Sequence, residues 1–161
     1  MNESLRPQES HTTEGRDRAG APDVLLSISA AAEDHAALKR ILGPIAWEVW
    51  EAGCCDTAFR FLSSGSVQTV IADDNLPDGD WRRVLTHIRS RPRPPKLIVA
   101  SRLADERLWA EVLNLGGYDL LAKPFDADEV RRVVSLTRPP KVRPIEPVRS
   151  QPAAAVIAAA A

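Results

Sequence analysis

Cysteine is scarce in this chain: two in 161 residues, and the two, Cys54 and Cys55, are neighbours. Adjacent cysteines are poorly placed to bond to each other and lack the Cys-x-x-Cys spacing of a zinc or redox site, so a disulfide-stapled or zinc-stapled fold is not expected. They read as free thiols in a reducing cytoplasm. An excess of one charge is also missing. Lys and Arg number 21 against 22 Asp and Glu, leaving a net charge of -1, and no global field favours nucleic acid or an anionic membrane as partner. There is no basic start followed by an apolar run near Met1, so no secretory signal is expected. The terminal AAAVIAAAA is much shorter than the ~20 apolar residues of a membrane span. A cytoplasmic protein with a protein or small-ion partner is the expectation.

What is present is a strict alternation of apolar runs and helical stripes. With 44% apolar residues the chain can bury one core. Residues 1–22 are polar and lack apolar periodicity, and are expected to form a disordered arm. A strand at VLLSIS (24–29) and a helix over 33–42 with Ala37, Leu38, Ile41 and Leu42 on one face come next. Strand and helix then recur four times. IAWEVWEA (45–52) precedes a helix over 56–64, and VQTVIAD (67–73) precedes a helix from Trp81 to Ser90. KLIVAS (96–101) precedes a helix striped by Leu108, Val112 and Leu115 that stops at Gly116 and Gly117. DLLAK (119–123) precedes DADEVRRVVSL (126–136), N-capped by Asp126. Residues 138–161, rich in Pro and Ala, are expected to be a flexible tail.

Five such units predict an α/β fold: a five-stranded parallel sheet, doubly wound by helices on both faces, spanning 23–137. In such a sheet the carboxyl ends of all strands share one rim. Ser29, Asp73, Ser101 and Lys123 fall on it. A carboxylate, a hydroxyl and an ammonium together can accept, hydrogen-bond and neutralise a phosphoryl group. Pro77 and Gly79 turn the chain after Asp73. Pro124 restrains the backbone after Lys123, with a cis bond as an option.

With Asp73 four residues before Pro77, Ser101 ending the fourth strand and Lys123-Pro124-Phe125 after the fifth, the chain resembles the response-regulator receiver domains of two-component signalling, the CheY-like family. The resemblance implies a flavodoxin-like sheet with strand order 2-1-3-4-5. It implies Asp73 as phosphoacceptor, Ser101 and Lys123 as the groups that stabilise the phosphoryl, and magnesium held by Asp73 and the backbone of Asn75. It also implies a sensor histidine kinase or phosphotransfer protein as donor and a downstream protein as output partner.

The chain departs from that pattern in three places. The acidic pair that holds magnesium in the family falls on Ser29 and Ala30, so the metal is expected to be weak or absent. The switch pair falls on Ser101 and Leu120, and Leu120 has no ring to rotate, while Tyr118 is displaced by two positions. Trp81 stands where a small turn residue is common, which predicts a reshaped loop after Pro77.

Other residues have plainer explanations. Glu33 and Asp34 are expected to stabilise the start of the first helix, and strand alternation predicts that Asp74 points away from Asp73. His11, His35 and His87 read as surface residues. Trp47, Trp50 and Trp109 suit core packing, with Trp109 partly exposed. Arg138, Lys141, Arg143 and Arg149 read as part of a solvated linker.

Two functions stay open: a stand-alone receiver phosphorylated on Asp73, and a pseudo-receiver that binds a partner with Asp73 unmodified. A flavodoxin-like small-molecule site needs a glycine-rich loop, and SAAAED follows the first strand instead. No enzyme activity is expected. Nucleic acid and membrane are not expected as partners.

Overall fold

The computed structural model describes residues 21–140. Its sheet comprises β1 (Asp23–Ile28), β2 (Trp47–Ala52), β3 (Val67–Asp73), β4 (Lys96–Ser101) and β5 (Asp119–Ala122). All pairings are parallel and the order is β2-β1-β3-β4-β5. Five helices connect them: α1 (Ala32–Leu42), α2 (Cys55–Leu62), α3 (Trp81–Arg89), α4 (Glu106–Leu115) and α5 (Ala127–Leu136). The doubly wound flavodoxin-like architecture expected from the sequence is the one observed.

Side-chain alternation divides the core into two layers. Leu26, Val70 and Val99 face α2, α3 and α4, where Ala58, Val84 and Val112 meet them. Leu25, Ile71, Ile98 and Leu121 face α1 and α5, packing against Leu38, Leu42, Val130 and Val134. Both faces of the sheet are therefore covered, which is why its strands read as almost unbroken apolar runs.

Three local differences from expectation have physical causes. The second strand begins at Trp47, not residue 45, because Gly43–Ile45 forms a 3-10 turn containing Pro44 and Ala46 takes a left-handed φ of 60°. Trp81 stands at the start of a helix and not within the turn. It is 1% exposed and opens α3 behind an Asp80 cap that accepts from the Arg82 and Arg83 amides. On α4 only Val112 is fully buried, and Leu115, in the last turn before Gly116 ends the helix at φ 99°, is exposed along with Trp109 and Leu113.

Arg138 does not behave as linker. Its guanidinium lies 2.8 Å from Asp23, donates to the Ile45 carbonyl at 2.5 Å and covers the Trp47 ring at 5.1 Å. The chain after α5 is thus fastened to the start of β1. His11, Lys141, Arg143 and Arg149, and the readings of the arm and most of the tail, lie outside the described residues.

Candidate functional site

The apolar interior of β3 carries Asp73 to the rim. Ala72 is registered between Ile28 of β1 and Val99 of β4, and Asp73 itself pairs with Ala100. Beyond the strand ends the backbone remains tied: the Ser29 amide donates to Ala52 O at 3.0 Å, Asp74 to Ala100 O at 2.9 Å and Lys123 to Ser101 O at 2.9 Å. These bonds hold the rim residues around a cleft of about 310 Å³, walled by Ala30, Asp73, Asp74 and Asn75 on one part and by Ser101, Arg102 and Lys123 on the other.

Lys123 lies between two carboxylates. Its ammonium is 2.5 Å from Asp73 Oδ1 and 2.6 Å from Asp34 Oδ2, with all three side chains 10–13% exposed. Burial pulls the ammonium toward neutrality, but the hydrogen bonds to Asp34 and Asp73 outweigh it and raise its pKa. Lys123 is therefore a fixed positive charge at neutral pH. The Lys123-Pro124 bond is cis.

Ser29 ties the same two acids together. Its hydroxyl is 2.8 Å from Asp73 Oδ2 and 2.7 Å from Asp34 Oδ2, and accepts from the Ala31 amide at 3.0 Å. A hydroxyl has one proton, so it serves one carboxylate at a time. Asp34 thus belongs to the site, which corrects its assignment to helix-end stabilisation. Because only three residues separate the end of β1 from the start of α1, its first turn stands over the rim, and the Asp34 side chain reaches Lys123 instead of water.

His35 is also misplaced by the surface expectation. It is 8% exposed, with Nε2 3.0 Å from the Ser29 carbonyl and Nδ1 2.8 Å from Ser27 Oγ. A carbonyl can only accept, so Nε2 carries a proton; in the neutral ring Nδ1 then accepts from the Ser27 hydroxyl. His35 and Asp34 together pin the first turn of α1 to Ser29. His87 is half-buried, stacked on Phe59 at 3.9 Å.

Ser101 is 1% exposed and committed to Asp74, not Asp73. Its hydroxyl donates to Asp74 Oδ2 at 2.8 Å and accepts from the Leu103 amide at 3.0 Å. The other Asp74 oxygen accepts from the Asn75 amide at 3.0 Å. Asp74 therefore lines the cleft beside Asp73, contrary to the alternation rule, because β3 ends at Asp73 and the chain bends there.

The turn after Asp73 is anchored at its far side. Asn75–Leu76 pairs antiparallel with Gly79–Asp80 around Pro77. Asp78 accepts from the Cys55 amide at 2.8 Å and the Asp56 amide at 3.0 Å, capping α2 from outside the helix. Leu120, at the switch position, is 8% exposed and packs in the core on the α4 side.

A five-stranded parallel sheet of this order, with a carboxylate, a hydroxyl and a lysine converging at its carboxyl edge, is the architecture of a signalling receiver domain. The chain matches the response regulator receiver domain family over residues 31–135, and it belongs to that family, whose members receive the signal in two-component systems. Among curated proteins it is 26% identical over 106 residues to the regulatory protein AtoC of Escherichia coli, covering 63% of this chain and 23% of that protein. It is 31% identical over 103 residues to the probable transcriptional regulatory protein y4xI of Sinorhizobium fredii, covering 63% of this chain and 46% of that one. The chain therefore spans less than half the length of either relative. Among solved structures, the CheX-CheY-BeF3-Mg complex from Borrelia burgdorferi superposes with a TM-score of 0.67 at 21% identity, covering 74% of this chain and 92% of that one. At that identity the likeness shows the fold. No helix among the described residues is long and apolar enough to cross a membrane.

Proposed function

We propose that this receiver domain takes a phosphoryl group on Asp73 from a sensor histidine kinase or phosphotransfer protein in the cytoplasm, and signals through contact with a downstream protein. The carrying observation is the Lys123 ammonium 2.5 Å from Asp73 Oδ1 at the wall of an open cleft. An Asp73 oxygen attacks phosphorus, the bond from phosphorus to the donor breaks, and the donor leaves with its electron pair. Lys123 stands beside the charge that gathers on the transferred group. Ser101 can join it only by releasing Asp74. The domain itself turns over no substrate; the product is the modified domain.

Magnesium, which the family implies, does not fit the donors of this site well. Ser29 and Ala30 supply no anion, both Asp73 oxygens are bonded to Lys123 and Ser29, and both Asp74 oxygens are bonded to Ser101 and Asn75. Among the described residues no group of three or more His, Cys, Asp or Glu side chains is arranged to hold a metal. A hard cation prefers several carboxylate and water oxygens, so binding through Asp73 and the Asn75 backbone is weak.

The same engaged carboxylates favour a second reading, in which Asp73 stays unmodified and the domain binds its partner as it stands. Incubation with acetyl phosphate and magnesium, followed by intact-mass measurement of wild type and Asp73→Asn, separates the two. One added phosphoryl group on the wild type and none on the variant supports acceptance; an unchanged wild-type mass supports the pseudo-receiver.

A further inference from the structure

We propose that Arg102 is a phosphoryl-binding residue of this cleft, providing positive charge that receiver domains otherwise draw from a bound metal. The inference rests on the reading of Asp73 as acceptor. Two cations line the cleft, Lys123 and Arg102. Lys123 is already shared between Asp34 and Asp73, so its charge is matched before any phosphoryl group arrives. Arg102 is exposed and, among the described residues, forms no hydrogen bond or ion pair. Among the described residues it is the cleft's one uncommitted cation.

Its backbone is nonetheless held firmly. Residues on both sides are pinned, Ser101 O by the Lys123 amide at 2.9 Å and Ser101 Oγ by the Leu103 amide at 3.0 Å. The Arg102 side chain thus starts from a fixed point on the cleft wall and is free to swing. A guanidinium presents two parallel N–H groups to two phosphoryl oxygens and stays charged at any working pH. No carboxylate has to be given up for it to bind.

During transfer from acetyl phosphate, an Asp73 oxygen forms the new bond to phosphorus, the bond from phosphorus to the acetate oxygen breaks, and acetate departs with the electron pair. No proton moves. Negative charge on the three phosphoryl oxygens then faces the Asp74 carboxylate as well as Lys123. A second cation offsets that repulsion, and Arg102 can supply it without a metal.

The test is the rate of phosphoryl incorporation from acetyl phosphate, read by intact mass in EDTA and in magnesium, for wild type, Arg102→Ala, Arg102→Lys and Asp73→Asn. The proposal expects wild type to be labelled in EDTA, Arg102→Ala to be about tenfold slower or worse there, and Arg102→Lys to recover part of the loss. Because Arg102 has no partner among the described residues, urea unfolding of Arg102→Ala should match wild type. Equal rates for wild type and Arg102→Ala in EDTA overturn the role of Arg102 and leave Asp73 as acceptor. So does wild-type labelling that EDTA abolishes and magnesium restores. A wild type that gains no mass in either buffer overturns the acceptor reading and this one with it.

Discussion

Asp34 and Lys123 are 89 residues apart in the chain, and their side chains meet at 2.6 Å. This bond joins the first turn of α1 to the loop after β5. It also gives Asp73 a competitor for the only ammonium that lines the cleft among the described residues.

Removing that ammonium should be felt in stability. Lys123→Met leaves Asp34 and Asp73 facing each other with little water, and is expected to lower unfolding free energy by about 3 kcal/mol. Adding Asp34→Asn in that background should restore part of the loss, with a coupling of about 1–2 kcal/mol in a double-mutant cycle by urea unfolding. Strictly additive effects would show that Asp34 and Lys123 act separately. In the wild type the raised Lys123 pKa makes this contribution complete below the ordinary lysine pKa, and it is lost as pH rises through the folded value.

Freeing Ser101 should help acceptance. Asp74→Ala removes the carboxylate that holds the Ser101 hydroxyl at 2.8 Å and one negative charge from the cleft. Labelling of Asp73 by acetyl phosphate is expected to speed up by about 3- to 10-fold, on the order of the charge-assisted hydrogen bond released. A slower variant would mean that Asp74 assists the transfer.

Asp78 gives a pH signature. The Cys55 amide, more than any other group, holds its carboxyl down at about 2, with the Asp56 amide adding to the effect against desolvation. A depressed folded pKa stabilises the ionised form, so this contribution is present above the ordinary value of 3.8 and is lost as pH falls through about 2. Asp78→Ala should therefore melt below wild type at pH 7, and the gap should close across that acid window. A gap independent of pH would assign the loss to packing.

The two thiols should differ in reactivity. Burial, followed by Asp78, pushes Cys55 up to about 11, while Cys54 is half-buried beside Thr57 at 3.4 Å. A disulfide reagent at pH 8 is expected to titrate Cys54 in the native protein and both thiols in denaturant. Two fast thiols without denaturant would contradict the buried position of Cys55.

The parts of this molecule legible in sequence are those governed by local pattern. Continuous apolar runs betray β1, β3 and β4 because the sheet is covered on both faces, and strand-end logic brings Asp73, Ser101 and Lys123 to one rim. Asp34 and His35 escape that logic. An acid in a first helical turn is ordinarily explained by the helix dipole, and only the short Ser29–Ala31 connection places this one over Lys123. The clue available in sequence is a rim lysine facing Asp73 in a chain whose usual acids are Ser29 and Ala30, with Asp34 just beyond them. Asp74 was hidden for another reason, since alternation holds only while the strand lasts, and β3 stops one residue before it.

Arg138 has a geometric consequence. By reaching Asp23 at 2.8 Å it brings the entry and exit of the domain together at the amino-terminal edge of the sheet, while Asp73 and its cleft occupy the opposite pole. Asp23 and Arg138 therefore mark one shared point of entry and exit, a full strand length from Asp73. The cleft at Asp73 opens at one pole of the domain while the two ends of the described chain meet at the other.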